Sequence, residues 1–354
     1  MKKILIIQNK RIGDVLLASV IANNMKKIFP ESHISFFVYD YTAGVLENNP
    51  NVERIIRINE QKLKKIPVLI QTIWEIRRRK YDIIFDPYGK LQSRLICLFS
   101  GASVRVGLRS KKRKMRIPIY THPVPVVEKR TSIYGRAIED RIKMITSVFN
   151  LNSPDYEPKL FLLPEDKEYP ALAGVKRPII MLGVLGSTPQ KSLPYEYIAK
   201  LINYITGKYE VTILFNYIPF QKSEADTIYE MCTDKDQIIT SIYEDSIRGF
   251  IRLMNQCDML IANEGGSVHI AKALNKPTFT VYSPYISKEH WNSFEDGKTH
   301  DSVHLLEENP DLFTNFSVEE RRKIEKNPNA LYLKLTPEMI LRKLKPFLDH
   351  HLKS

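Results

Sequence analysis

Three stretches of this sequence join residue types and spacings suited to handling a phosphorylated ligand. In the first, Asn263-Glu264-Gly265-Gly266-Ser267-Val268-His269 follows the short apolar run 259–262 and leads into Val268, Ile270, Ala271 and Leu274 at near-helical spacing. Asn275 and Pro277 close that helix before a second apolar run, 278–282, so the unit reads strand, acidic glycine turn, helix, strand. Adjacent glycines let backbone N–H groups approach a ligand, and a helix N-terminus carries partial positive charge suited to phosphate. Glu264 stands where acids accept ribose hydroxyls in nucleotide-binding α/β folds. A tight turn that happens to use two glycines is the plainer description, and the stretch alone does not decide between them.

The second stretch, Gly186-Ser187-Thr188-Pro189-Gln190-Lys191-Ser192-Leu193-Pro194, lies between a strand at 178–183 and a helix at 195–205. Its glycine and hydroxyls permit close backbone approach to a phosphate, and Lys191 supplies compensating charge. An ordinary surface loop is the alternative, weakened because this loop and the Glu264 turn both follow strands of one sheet. The third stretch, Gln8-Asn9-Lys10-Arg11-Ile12-Gly13-Asp14, joins a buried strand at 4–7 to a helix at 15–29, the place where open α/β sheets bind ligands. With a single glycine it is not a dinucleotide fingerprint.

The elements that must position these loops alternate along the whole chain. Strands are expected at 33–38, 52–58, 81–86 and 104–106, with helices at 66–76, 91–99 and 134–149, which makes the first half a doubly wound α/β domain. The second half repeats the pattern, with strands at 211–215 and 238–240 and helices at 223–231 and 247–255. Proline-rich residues 156–177 read as a linker between domains at 1–155 and 178–334, and residues 335–354 as a terminal helix that packs back toward the first half. Residues 285–332, with Trp291 and little periodicity, suggest no role.

Composition sets the class. At 354 residues, 43% apolar and 26% charged, the chain suits a two-domain globular protein. No segment has the length of a membrane span, and residues 4–7 are too few for a signal-peptide core, so a cytoplasmic protein is expected. Cys97, Cys232 and Cys257 are scattered without metal-ligand spacing and read as reduced core residues. Charge is unevenly divided: residues 1–150 hold 29 Lys and Arg against 12 Asp and Glu, a net of +17, whereas the remainder holds 24 against 28. The first half should face something acidic. Its densest run, residues 105–116, has seven cations in twelve positions and by itself suits a solvated segment as well as an anion contact.

The order of these motifs carries a resemblance. Arg11-Ile12-Gly13-Asp14-Val15-Leu16-Leu17-Ala18 resembles the opening motif of the family 9 glycosyltransferases, the ADP-heptose:lipopolysaccharide heptosyltransferases. Residues 86–93, 101–107, Gly186-Ser187 with Lys191 and Pro194, and 263–273 resemble later family motifs in the correct order. This chain departs from the family in having Glu264-Gly265-Gly266 where Asp-Ser/Thr-Gly is usual, Leu193 where tryptophan is common, and Gln221 or Glu224 where an acid is expected. The departures all fall on the donor side.

The resemblance implies the GT-B fold, two Rossmann-like domains with parallel sheets facing across a cleft, and inverting transfer of a sugar from a nucleotide diphosphate with no cofactor or metal. ADP-heptose is the implied donor and a lipopolysaccharide core or other surface glycan the acceptor. It also implies that Asp14 is the general base, for which helix N-capping is the structural alternative. Gly186, Ser187, Lys191, Gln221, Glu264, Gly265, Gly266 and His269 are assigned to the nucleotide sugar, although a buried structural role suits His269 equally. The cations Arg11, Arg109, Lys111, Lys112, Arg113 and Arg141 are assigned to an anionic glycolipid acceptor, with peripheral contact at the inner face of the inner membrane. A GT-B-like nucleotide-sugar epimerase is the nearer rival. A nucleic-acid-binding protein is the more distant one, since aromatic residues are not interleaved with the basic run.

Overall fold

In a computed structural model that describes residues 1–109, 118–186, 188, 191–314, 316–327 and 329–352, the chain divides into two compact units. The first comprises Met1–Phe161 with Glu289–Ser293, the second Leu162–Lys288 with Phe294–Ser354.

The first unit is built on a six-stranded sheet of β1 (Lys3–Ile7), β2 (His33–Tyr39), β3 (Arg54–Ile58), β4 (Ile83–Asp86), β5 (Val104–Arg109) and β6 (His122–Pro125). Its order is β3-β2-β1-β4-β5-β6 and every pairing is parallel. Ile4, Leu5, Ile6 and Ile7 are all fully buried, as expected of a central strand covered on both faces. The crossovers carry α1 (Ile12–Ile28), α2 (Glu60–Leu63), α3 (Ile66–Arg78), α4 (Leu91–Phe99) and α5 (Arg136–Thr146).

In the second unit β7 (Ile179–Gly183), β8 (Thr212–Asn216), β9 (Ile238–Ile239), β10 (Met259–Asn263), β11 (Thr278–Val281) and β12 (His300–Val303) take the order β12-β11-β10-β7-β8-β9, again all parallel. Read from β7, this is the same topology as in the first unit. The helices are α6 (Tyr195–Lys208), α7 (Lys222–Glu230), α8 (Ile247–Gln256), α9 (Gly266–Ala273), α10 (Lys288–Trp291), α11 (Leu305–Glu308), α12 (Val318–Lys326), α13 (Asn329–Tyr332) and α14 (Pro337–His351). Each sheet has one switch point, between β1 and β4 and between β7 and β10, where doubly wound sheets open a crevice at the carboxyl ends of the strands.

Residues 156–177 contain the boundary between the units and are bonded into both: Asp155 and Glu157 hydrogen-bond to Asn24 and Asn23 of α1 at 2.7 and 3.2 Å, while Asp166 pairs with Arg248 and Arg252 of α8. The terminal helix α14 packs within the second unit. Phe347 meets Phe279 with ring centroids 5.6 Å apart, and Asp349 takes bonds from Lys208 and Tyr209. Strand β6 escaped notice because His122-Pro123-Val124-Pro125 carries two prolines, tolerated here on an edge. Strand β12, His300-Asp301-Ser302-Val303, lacks an apolar run and is also an edge.

Two residues in the family-like motifs of the first unit are structural. Buried Asp86, at the end of β4, accepts from Gly89 N at 2.9 Å and from the Tyr120 hydroxyl at 2.7 Å, and burial raises its pKa. The Tyr120 ring lies over Gly107 so closely that a Cβ there would come within 2.2 Å of it. Gly107→Ala is therefore expected to destabilise the chain by about 2 kcal/mol, the usual cost of overpacking, seen as a lower urea midpoint at unchanged m-value. An unaltered midpoint would mean that the ring has room to move.

Candidate functional site

Helix α1 begins at Ile12, with Arg11 in the capping position and no side-chain cap bond. Asp14 is thus not the cap. It lies in the first turn, buried, with Oδ1 2.8 Å from Lys10 Nζ and 3.8 Å from Arg141 Nη2. Arg141 comes from α5, where it also donates to Ala137 O, and burial pushes its pKa down against the pull of Asp14 and Asp140. Assigned from the sequence to the acceptor, it is buried and lies within ion-pair distance of Asp14. Arg11 and Arg109 are exposed, Arg109 at the end of β5. Lys111, Lys112 and Arg113, with the other residues of 110–117, lie outside the described residues.

The segment Glu289–Ser293 belongs to this same environment, which nothing in its sequence signalled. Lys10 Nζ sits 5.3 Å from the centroid of the Trp291 ring, a cation–π distance. Gly135, at φ +78° before α5, comes so close to Ser293 that a Cβ would lie 3.2 Å from its backbone. His290 is pushed down to about 4, first by burial and then by Arg141, Arg136 and Lys10, so its imidazole is neutral at pH 7. Gln8 and Asn9, fully buried at the end of β1, have side-chain amides with no hydrogen-bond partner among the described residues. Unsatisfied buried amides at a strand's carboxyl end call for an explanation, and a bound ligand is the simplest.

In the second unit the loop after β7 folds on itself. Gly186 N donates to Ser192 Oγ at 2.9 Å, Ser192 Oγ donates to Thr188 O at 3.2 Å, and Lys191 N donates to Thr188 O at 2.9 Å. A Cβ at Gly186 would lie 2.1 Å from Lys191 O, so only glycine lets the loop close. The Gly186 N–H, expected to approach a phosphate, is used within the loop. Gln221 is likewise committed, donating to Gly186 O at 2.8 Å and accepting from Ile218 N at 3.2 Å. Both residues position the loop. Ser187 lies outside the described residues.

That loop brings Lys191 Nζ to 3.8 Å from Glu264 Oε1. Glu264 is held through Oε2, which accepts from Ser283 N at 2.8 Å. Burial raises its pKa, opposed by the Ser283 N–H and by Lys191. The Tyr332 hydroxyl donates to Lys191 O at 3.2 Å, bracing the loop from α13, a contact without a local sequence signal. Asn263, buried next to Glu264, has a side-chain amide with no partner among the described residues. Gly265 caps α9 in extended backbone without a side-chain cap bond; Gly266 is the first residue of that helix, and His269 is buried one turn along it. Lys191, Glu264 and the α9 N-terminus therefore converge at the β7/β10 switch point, giving a cation and free N–H groups beside a carboxylate, suited to a diphosphate bearing a hydroxyl-rich group.

A model of the family described as "Glycosyltransferase family 9 (heptosyltransferase)" matches residues 70–312, well over half of the chain. The chain belongs to glycosyltransferase family 9. Lipopolysaccharide heptosyltransferase 1 of Campylobacter coli is 22% identical over 289 residues, covering 79% of this chain and 83% of that protein. The crystal structure of a family 9 glycosyl transferase from Veillonella parvula matches with a TM-score of 0.75 at 19% identity, covering 98% and 97% of the two chains. The E. coli ADP-heptose lps heptosyltransferase II matches with a TM-score of 0.70 at 18% identity over 98% of each. This family 9 chain is a glycosyltransferase with the GT-B fold. The family match begins after Asp14, so that motif rests on its own geometry.

Family membership and geometry together single out Gly265. A Cβ there would meet nothing within 4 Å and the backbone is extended, so the fold does not require glycine at this position. Gly265→Ala is expected to leave the melting temperature unchanged yet weaken binding of a nucleoside diphosphate roughly tenfold, by blocking close backbone approach. Equal affinity by calorimetry would remove this turn from the ligand's path.

Proposed function

We propose that this chain transfers heptose from ADP-heptose to a lipopolysaccharide core acceptor, with inversion at the anomeric carbon and no metal or other cofactor. The observation that carries the proposal is the convergence of Lys191 and Glu264, 3.8 Å apart, beside the N-terminus of α9 in a family 9 chain. The similarity to the E. coli ADP-heptose lps heptosyltransferase II and to the C. coli lipopolysaccharide heptosyltransferase 1 supports the donor and acceptor classes.

In this scheme Asp14 takes the proton from an acceptor hydroxyl as its oxygen bonds to the anomeric carbon. The bond from that carbon to the diphosphate breaks, and its electron pair passes to the phosphate oxygen. Lys191 and the partial positive charge of α9 stabilise that oxygen, so the scheme needs no metal to offset the leaving group's charge. Lys10 and Arg141, both on Oδ1 of Asp14, fix the orientation of the carboxylate. Gly186, Ser192, Gln221 and Tyr332 hold the Lys191 loop, and Glu264 is the acid facing the donor's hydroxyls. Exposed Arg11 and Arg109 are available to an anionic acceptor carried at the cytoplasmic face of the inner membrane.

Asp14→Asn is expected to lower transfer by roughly 10²–10⁴-fold, the usual worth of a general base, with ADP affinity unchanged. Wild-type turnover in that variant would refute the base assignment. Among ADP-, GDP-, UDP- and CMP-sugars, the ADP-sugar should raise the melting temperature most, by an amount equivalent to about 2.7 kcal/mol at a hundred times its Kd. Lys191→Ala should weaken ADP binding by roughly 10–100-fold, the worth of a charge-assisted contact. A shift with another nucleotide sugar alone would reassign the donor, and rapid donor turnover without acceptor would favour an epimerase.

A further inference from the structure

Helix α3 is held on its sheet by Thr72 and Ile76, with Leu69 and Ile73 partly buried in the same core. The side facing away from it, with Gln71, Glu75 and Arg78, is exposed and polar as expected. On the flank between the two, Ile66, Ile70 and Trp74, spaced four apart and so on one stripe, are nevertheless 71%, 50% and 59% exposed. The neighbouring helix α4, tied to α3 by a bond from Arg77 Nη1 to Phe99 O at 3.0 Å, exposes Leu91 at 68% and Phe99 at 50%. Five large apolar side chains thus stand in water on two neighbouring helices, three of them in one stripe of α3.

The surrounding charge indicates what covers it. Residues 61–80 carry Lys62, Lys64, Lys65, Arg77, Arg78, Arg79 and Lys80 against Glu75 alone. The cations flank the stripe at both ends of α3, and its tryptophan is of the type that settles at the boundary between headgroups and acyl chains. Among the described residues no helix is long and apolar enough to cross a membrane, and an exposed apolar stripe between cations suits a helix that rests on a bilayer and does not span it. A second copy docking by the same face would set these seven cations against seven more, whereas an anionic bilayer neutralises them.

We propose that the α3/α4 face is a membrane-docking surface that inserts Ile66, Ile70, Trp74, Leu91 and Phe99 among anionic lipid headgroups. It requires no contribution from the transfer chemistry and is measured without turnover, so the two fail separately.

The experiment is co-sedimentation with vesicles of phosphatidylcholine alone or mixed with phosphatidylglycerol, while following tryptophan emission in a Trp291→Phe background that leaves Trp74 as reporter. The expected result is pelleting and a blue shift with the anionic vesicles only, weakened by salt. Ile70→Glu with Trp74→Glu should cut the bound fraction roughly tenfold or more at an unchanged melting temperature, since both side chains lie outside the core. Lys65→Glu with Arg78→Glu should weaken binding while keeping the apolar stripe. No binding to anionic vesicles, equal pelleting of wild type and the Ile70/Trp74 variant, or a wild-type dimer that this variant dissolves would each overturn the proposal.

Discussion

Parallel pairing of β7 with β10 is the constraint from which the donor half of this glycosyltransferase follows. Met259 through Ala262 lie opposite Ile180 through Gly183, so both strands end at the same edge of the sheet. A Cβ on Gly183 would be 2.9 Å from that of Ala262, a measure of how tightly the strands abut there. Because crossovers on either side of a switch point run to opposite faces, the two chains part as they leave the sheet. Lys191 and Glu264, distant in sequence, end within ion-pair distance across that parting. The same topology places the Asp14 loop after β1 and the Gly89 turn after β4 in the first unit.

What collects at these edges is costly to keep. A buried carboxylate loses its hydration, and a buried ion pair rarely stabilises a fold more than well-packed apolar side chains would. Glu264 offsets its burial with one backbone N–H and one lysine, and Asp14 with Lys10 and Arg141. Gln8, Asn9 and Asn263 do not offset theirs at all among the described residues. None of this helps folding, and all of it sits at the carboxyl ends of β1 and β10. Departures from local folding logic at two switch points are what the proposed ligand sites would account for.

The fold was legible because central parallel strands are continuous apolar runs: residues 4–7, 179–183 and 259–262 announce themselves without alternation. The edges β6 and β12 were not, being proline-rich and polar. Asp14, Lys191 and Glu264 could be singled out because strand-loop-helix punctuation places their loops at carboxyl ends, the role of Asp14 coming from the resemblance to the family. Their supports were invisible, since Arg141, Tyr332 and the 289–293 segment reach them only through tertiary contacts. Gly186 has a structural reason that the sequence did not show: its amide is bonded to Ser192, and the missing Cβ makes room for Lys191 O.

Net charge is where local sequence and tertiary structure must be read together. A half carrying +17 repels itself, and exposed pairs such as Lys64 with Glu60 at 3.7 Å return little of that cost. Screening over about 8 Å at physiological ionic strength makes the excess act locally, so its placement matters more than its sum. One concentration, Lys10, Arg136 and Arg141, lies by the N-terminal halves of α1 and α5, strong enough to help keep buried His290 neutral. Another brackets the exposed apolar stripe of α3. The two cationic groups, one beside a carboxylate at a switch point and one beside exposed aliphatic and aromatic side chains, are chemically different settings for an anion, and the two proposals assign them different ones: a hydroxyl-bearing glycan near Asp14, and a surface with an apolar interior beneath its charge at α3.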